Sequence, residues 1–309
     1  MRFKKWSNST TCRTYYTRPY KRAHPGEQAF TDRQELIPGF VQAILTLSDV
    51  IFIGAGGLNC WIALGLVQAG IRKILLYDRD RLEASNCNRQ FYPPIAVGQY
   101  KVHALGEGLS RLGAGETTIV SYPYHFEEML VLYGTDVFAE AKVAVIGVDN
   151  EESRVAASKH FRALSIPAIF SGVSVDGKTG FVFVQASSPD SPCYGCVFPQ
   201  VVTALAGETH AAPCPRTPAM SPILHALSGL TLEALFAVLM PELFHDWNYF
   251  YLCIDASLPT GGSTRARNPD CPLCALAREA PQTCLSACGR HEPPSAGAKR
   301  SRDSSGRST

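Results

Sequence analysis

Three glycines and one carboxylate carry the first chemical signal. Gly54, Gly56 and Gly57 stand in a Gly-Ala-Gly-Gly run between two apolar segments, and Asp78 follows 24 residues after Gly54. Glycines at a strand-to-helix turn let backbone N–H groups approach phosphates, and the helix N-terminus adds a favourable partial charge. A carboxylate at the end of the next strand accepts hydrogen bonds from ribose hydroxyls. The pattern predicts a nucleotide site. The third glycine of the dinucleotide fingerprint is replaced by Asn59, which relaxes the expectation of close helix–strand packing.

The second signal is sulfur. Cys193-Tyr-Gly-Cys196 and Cys271-Pro-Leu-Cys274 are two C-x-x-C knuckles, with 74 residues between the inner cysteines. Four thiolates so grouped would form a closed tetrahedral zinc site clamping the end of the last strand to the post-sheet loop. A redox-active C-x-x-C is the competing reading. The cysteine total, 11, is odd, and the set reads as thiols or metal ligands rather than a disulfide framework. Cys60, Cys87 and Cys253 sit in apolar or packed settings and read as small core residues.

These groups need a scaffold, and hydrophobic periodicity supplies one. Residues 50–53 are an apolar run of buried-strand length, 58–69 an apolar helix ending at Gly70, and 73–77 a second buried strand. Helices follow at 101–112, 151–164 and 223–239, and strands at 117–122, 142–146, 168–171, 181–185 and 249–254. A short amphipathic helix is predicted from Ile37, Phe40, Val41, Ile44 and Leu45, and a loop over 199–222. The fold class is α/β: a doubly wound, mostly parallel Rossmann-like sheet with a four-cysteine zinc knuckle.

The charge is segregated. The chain of 309 residues has 29 Lys+Arg against 27 Asp+Glu. Residues 1–30 hold seven basic groups and one acid, and 284–309 hold five and two, leaving 17 against 24 in the body. A mildly acidic body argues against a nucleic-acid-binding surface. The division predicted is a basic flexible arm at 1–30, one domain at 31–282 and a disordered basic tail at 283–309. No uninterrupted apolar run reaches the roughly 18 residues of a membrane span. The N-terminal stretch lacks the apolar segment of a signal peptide, so no membrane association and a cytoplasmic location are expected.

Four motifs, GAGGLN, DRDRLEASNCNRQ, VGQYK and GVDN, resemble the ThiF/MoeB/HesA branch of the ubiquitin-activating enzyme superfamily, over about residues 31–276. The most specific is Ser85-Asn86-Cys87-Asn88-Arg89-Gln90, just after the Asp78/Asp80 strand end. The resemblance implies an adenylyltransferase that joins AMP to the C-terminal glycine of a small β-grasp ubiquitin-like or sulfur-carrier protein ending in Gly-Gly. Such chemistry requires phosphate charge to be screened and a magnesium ion to be held. Arg89 and Lys101, in segments after the nucleotide-binding strand, suit the first task. Asp149, at the end of a parallel strand, suits the second.

The resemblance assigns ATP contacts to Gly54, Gly56, Gly57, Asp78, Asn86, Arg89, Gln90, Lys101 and Asp149, with Mg2+ on Asp149 and structural Zn2+ on Cys193, Cys196, Cys271 and Cys274. Arg33 matches an arginine that family members insert into a partner subunit's ATP site, which implies a homodimer. Cys214 matches a cysteine that in some relatives forms a covalent thiol linkage and in others is dispensable; Pro213 and Pro215 depart from the usual small residues around it. Taken singly, Arg89, Lys101 or Arg154 would be a surface charge, and Asp149-Asn150 an N-cap. Two rival readings remain: an NAD-dependent oxidoreductase, and a non-catalytic activating-enzyme-like scaffold.

Overall fold

In the computed structural model, which describes residues 11–19, 29–133, 138, 140–206, 218–243, 246–255 and 258–274, the run Asp49–Ile53 forms a strand (β2) buried along its whole length. It leads through the glycine turn into the helix Asn59–Ala69 (α2), which stops at Gly70 with φ +85°. The chain returns as Lys73–Tyr77 (β3), parallel to β2, with Ile53 opposite Tyr77. The alternation continues through Lys101–Ser110 (α3), Thr118–Tyr122 (β4), Phe126–Tyr133 (α4), Val143–Ile146 (β5), Glu151–Ala163 (α5) and Ala168–Val173 (β6).

β4, β3, β2, β5 and β6 lie side by side in that order, all parallel. From β2 the chain steps outward to β4 on one side, and from β5 to β6 on the other. The winding direction therefore reverses between β2 and β5, and open sheets leave a crevice at that point, beyond the C-terminal strand ends. Thr179–Gln185 (β7), Tyr249–Cys253 (β8) and Gly261–Ser263 (β9) extend one edge antiparallel, and Arg13–Tyr16 (β1) extends the other. The remaining helices are Gln42–Leu45 (α1), Tyr194–Val197 (α6), Pro199–Ala206 (α7) and Ser221–Leu239 (α8).

Helices cover both faces, which is why the parallel strands read as unbroken apolar runs rather than alternating ones. Val50, Phe52, Ile74, Leu76, Val143 and Val145 point to one core, packed by α2, α3 and α8. Ile51, Ile53, Leu75, Ala144, Ile146 and Phe170 point to the other, packed by α4, α5 and α6. By length and composition α8 is apolar enough to cross a membrane. Here it packs against α2 and β7, and Leu227, Ala234 and Leu235 lie in the first core.

The structure departs from the sequence expectations in several places, among them the added strand β9 after the last one predicted. Residues 13–16, within the stretch predicted as an arm, pair with β4 from Arg13 opposite Ser121 to Tyr16 opposite Thr118. Thr and Tyr favour a half-buried pleated surface, and Tyr15 packs over Gly106 of α3. The predicted helix around 37–45 shrinks to the single turn of α1, because Gly39 takes φ +83° and leaves Ile37 and Val41 exposed. The predicted loop from 199 begins as α7. α4 was not expected: among its described side chains only Phe126 and Met129 are buried in the second core. Cys214 and the tail 283–309 lie outside the described residues.

Candidate functional site

The glycine turn sits at the reversal point between β2 and β5. Gly54 adopts φ +92°, and a Cβ there would fall 2.9 Å from the Gly147 carbonyl oxygen at the end of β5, so only glycine fits. Gly57 faces α8, where a Cβ would meet Leu224 Cδ1 at 2.9 Å, whereas Gly56 has no neighbour nearer than 3.8 Å. Asn59 is fully buried and donates from Nδ2 to the carbonyls of Ile53 (3.0 Å) and Gly54 (2.8 Å). It fastens the turn to the strand that carries it.

Asp78 extends from the end of β3 toward this turn. One carboxylate oxygen accepts the Ala55 N–H (2.7 Å) and the other the Asp80 N–H (2.7 Å). Burial pushes the Asp78 carboxyl above the usual range, and nearby Lys101 opposes that shift. Lys101 is the first residue of α3, and its Nζ lies 2.8 Å from Asp80 Oδ2. Burial alone would lower the Lys101 ammonium, but Asp78, Asp80 and Asp149 outweigh it and the net shift is upward. Lys101 therefore keeps its charge among three carboxylates. Asp149 is exposed at the β5–α5 junction; Asn150, not Asp149, caps α5, accepting the Ser153 N–H at 2.8 Å.

The segment 83–90 folds against the same turn. Asn86 is buried and accepts the Glu83 N–H on Oδ1 (3.0 Å), which gives it a part in shaping the segment. Arg89 is half-buried, and its Nη1 donates to the Ser85 carbonyl (2.6 Å) and Asn88 Oδ1 (3.1 Å). Trp61 Nε1, from α2, holds the Arg89 carbonyl at 3.1 Å. Gln90 is buried beside Gly57, and its Oε1 has no hydrogen-bond partner among the described residues. Arg33 stands apart. It is exposed, and its neighbour Gln34 bonds the Ala69 carbonyl (2.9 Å) at the C-terminal end of α2. The glycine turn is at the other end of that helix, about 16 Å away at 1.5 Å per residue.

The four thiols converge as expected from their spacing. The Sγ atoms of Cys193, Cys196, Cys271 and Cys274 all lie within 4.8 Å of one another. Separations are 3.6 Å for Cys193–Cys196, 3.5 Å for both Cys193–Cys271 and Cys196–Cys274, and 3.4 Å for Cys193–Cys274. A tetrahedron with Zn–S bonds of about 2.3 Å has S···S edges of about 3.8 Å, so this set fits a zinc ion after slight expansion. Burial pushes the Cys193 and Cys271 thiols up, so four thiolates here require a cation. The Arg267 guanidinium supplies positive charge beside the cluster, on the Cys274 side. Four-way packing favours a metal over a pairwise redox disulfide. Cys60, buried in the first core, is inert by comparison: burial pushes its thiol up to about 12.

One network was not anticipated. Arg154 is buried and donates from Nε (3.1 Å) and Nη2 (2.8 Å) to the Val148 carbonyl, just before Asp149. Its Nη1 meets Glu151 Oε1 (2.8 Å) and the Tyr194 hydroxyl (3.3 Å), and that hydroxyl donates to Glu151 Oε2 (2.7 Å). No local pattern signals it, because Tyr194 is 40 residues away in sequence.

Fold and site together define a doubly wound α/β protein with a glycine turn at its reversal point and a four-thiol cluster behind the sheet. The ThiF family model matches residues 31–273, and the chain belongs to that family. It is 30% identical over 161 residues to ubiquitin-like modifier-activating enzyme 5 of Mus musculus, covering 50% of this chain and 40% of that protein. It is 31% identical over 172 residues to adenylyltransferase and sulfurtransferase MOCS3 of Caenorhabditis briggsae (54% and 41%). With adenylyltransferase and sulfurtransferase uba4 of Aspergillus niger it shares 27% over 259 residues (79% and 52%). The matches span roughly two-fifths to half of these relatives' lengths. Among solved structures, E. coli MccB with ATP superimposes with a TM-score of 0.60 at 17% identity, over 75% of this chain and 68% of that one, a likeness of fold.

Proposed function

We propose that the protein is an ATP-dependent adenylyltransferase acting on the C-terminal glycine of a small β-grasp protein, either a ubiquitin-like modifier or a sulfur carrier. The observation that carries this reading is the grouping of Asp78, Lys101 and Asp149 around the glycine turn at the sheet's reversal point. Membership of the ThiF family supports it, as do relatives named as adenylyltransferases and modifier-activating enzymes. An NAD-dependent oxidoreductase would share the turn and Asp78 but has no use for Lys101 among carboxylates. A scaffold without activity would not need those charges kept.

In the proposed reaction the carrier's terminal carboxylate attacks the α-phosphorus of ATP, an acyl-phosphate bond forms, and the bond to the leaving pyrophosphate breaks. The backbone N–H groups of Gly56 and Gly57 face the phosphates, Asp78 accepts the ribose hydroxyls, and Asn86 and Gln90 line the nucleotide. Lys101 and Arg89 screen the charge that develops as pyrophosphate departs. Asp149 would hold magnesium, which when bound neutralises phosphate charge. Zinc on the four cysteines would be structural, since a closed four-thiolate site leaves no open position.

Arg33, a helix length from its own chain's turn, supports a homodimer in which it reaches the partner's site. Passage of the acyl group to a thiol, with Cys214 as the candidate, is the second step of this reading. The test is ATP–pyrophosphate exchange with a panel of carrier proteins ending in Gly-Gly. Carrier-dependent exchange lost in Asp149→Ala is the expected result; background exchange across the panel refutes the proposal.

A further inference from the structure

The four-cysteine cluster and Asp149 are joined through a single guanidinium. Tyr194 lies inside the first knuckle, between Cys193 and Cys196. Its backbone N–H is held by Ser158 Oγ (3.2 Å) and Gln185 Oε1 (3.3 Å), and its ring packs against Phe170 and Phe198 at centroid distances of 4.8 and 4.6 Å. With the ring so fixed, its hydroxyl sits at one place, donating to Glu151 and accepting from Arg154. Arg154 has its other two nitrogens on one acceptor, the Val148 carbonyl, which belongs to the peptide linking Val148 to Asp149.

The surroundings of Arg154 are built to receive it. The guanidinium lies over the Phe181 ring, 5.5 Å from its centroid. A Cβ on Gly172 would fall 2.7 Å from Nη2, so the absence of a side chain on β6 makes the space. A fork with two donors on one carbonyl fixes that peptide plane in a way one ammonium does not. The same segment is gripped from the opposite side, where a Cβ on Gly147 would lie 2.6 Å from Asn59 Cγ.

We infer that Arg154 is a positioning residue, and that with Tyr194 it forms a relay by which the four-thiol cluster sets the orientation of the Val148–Asp149 peptide and hence of the Asp149 carboxylate. This rests on the adenylation reading for its kinetic consequence but not for its structural one. Outer-shell partners of a metal-binding carboxylate typically change metal affinity or activity by about tenfold or more.

The experiment compares the full-length wild type with Arg154→Lys and Tyr194→Phe, after circular dichroism and zinc content have shown both variants to be folded and loaded. Two quantities are read: the Mg2+ concentration giving half-maximal ATP–pyrophosphate exchange, and hydrogen exchange at amides 148–151. Arg154→Lys is expected to raise the Mg2+ requirement by about tenfold, with a smaller rise in Tyr194→Phe. Amides 148–151 should exchange faster in both variants, and faster in wild type after zinc is chelated. Unchanged Mg2+ requirement and unchanged protection in both variants would overturn the relay. Faster exchange in the variants without a response to chelation would overturn the cluster's part in it. If wild type shows no pyrophosphate exchange with any carrier, the adenylation reading fails, and the amide measurement alone decides the relay.

Discussion

The Asn59 side chain and the Cα of Gly147 occupy adjoining space: a Cβ on residue 147 would overlap the Asn59 amide, lying 2.6 Å from its Cγ. In the dinucleotide fingerprint the third glycine, on the helix, permits close helix–strand approach. Here the bulk is on the helix, and the missing side chain is on the neighbouring strand end. The Asn59 amide in turn bonds two carbonyls of the turn. Gly147→Ala should therefore destabilise the protein by about 1–3 kcal/mol through overpacking. The same substitution should cost less in an Asn59→Gly background, because contacting residues are not additive. Urea denaturation of the two single variants and the double variant measures this coupling.

Arg33 and Lys101 are expected to serve one site from two chains. Arg33→Ala and Lys101→Ala should each abolish most exchange activity alone. Mixed after co-refolding, they should recover about a quarter of wild-type activity, since half of a randomly paired set of twofold dimers carries one intact site of two. Recovery at background level would contradict the action of Arg33 in trans.

Zinc removal should loosen the sheet's antiparallel edge, because the two knuckles tie the chain after β7 to the chain after β9. Reduced protein should contain about one zinc per chain, the complement of a closed four-thiolate site. Cys193→Ser, Cys271→Ser and chelation should each lower the thermal midpoint, since metal bound only to the folded chain stabilises it. Metal analysis and calorimetry read both effects.

His160 gives the fold a pH response. Burial against Phe126, Phe138 and Phe161 lowers its pKa from 6.5 to about 4. The neutral form is the one that fits, so its contribution is complete above pH 6.5 and is lost as pH falls toward 4. His160→Leu should remove part of the acid-side decline in stability over that window, read as a difference in urea midpoints against wild type. Parallel curves for the two proteins would contradict it.

Much of the fold is legible in the sequence because burial on both faces leaves a strong mark. Val50–Ile53 and Val143–Ile146 have no inward polar positions and cannot be read as surface strands. The turn residues are legible for a local reason, since Gly54 needs a positive φ that other residues avoid. β1 is obscured because half its residues face solvent and its neighbours are basic. The compensation at Gly147 and the contacts of Arg154 are invisible in sequence for a different reason. Each depends on residues that the fold brings together from far apart in the chain: β2 beside β5, and Tyr194 beside Arg154, 40 residues apart. Asp149 could be separated from the capping role only once Asn150 was seen to accept the Ser153 N–H.

The central claim is attack of a carrier carboxylate on the α-phosphorus of ATP, and oxygen-isotope transfer tests it most directly. A Gly-Gly carrier labelled with 18O in its C-terminal carboxylate is incubated with the protein, ATP and Mg2+, and the product is cleaved at its carbonyl with hydroxylamine. Label should appear in the phosphate of AMP, with none in pyrophosphate and none transferred by Asp149→Ala. Label in inorganic phosphate, or AMP formed without label, would contradict it.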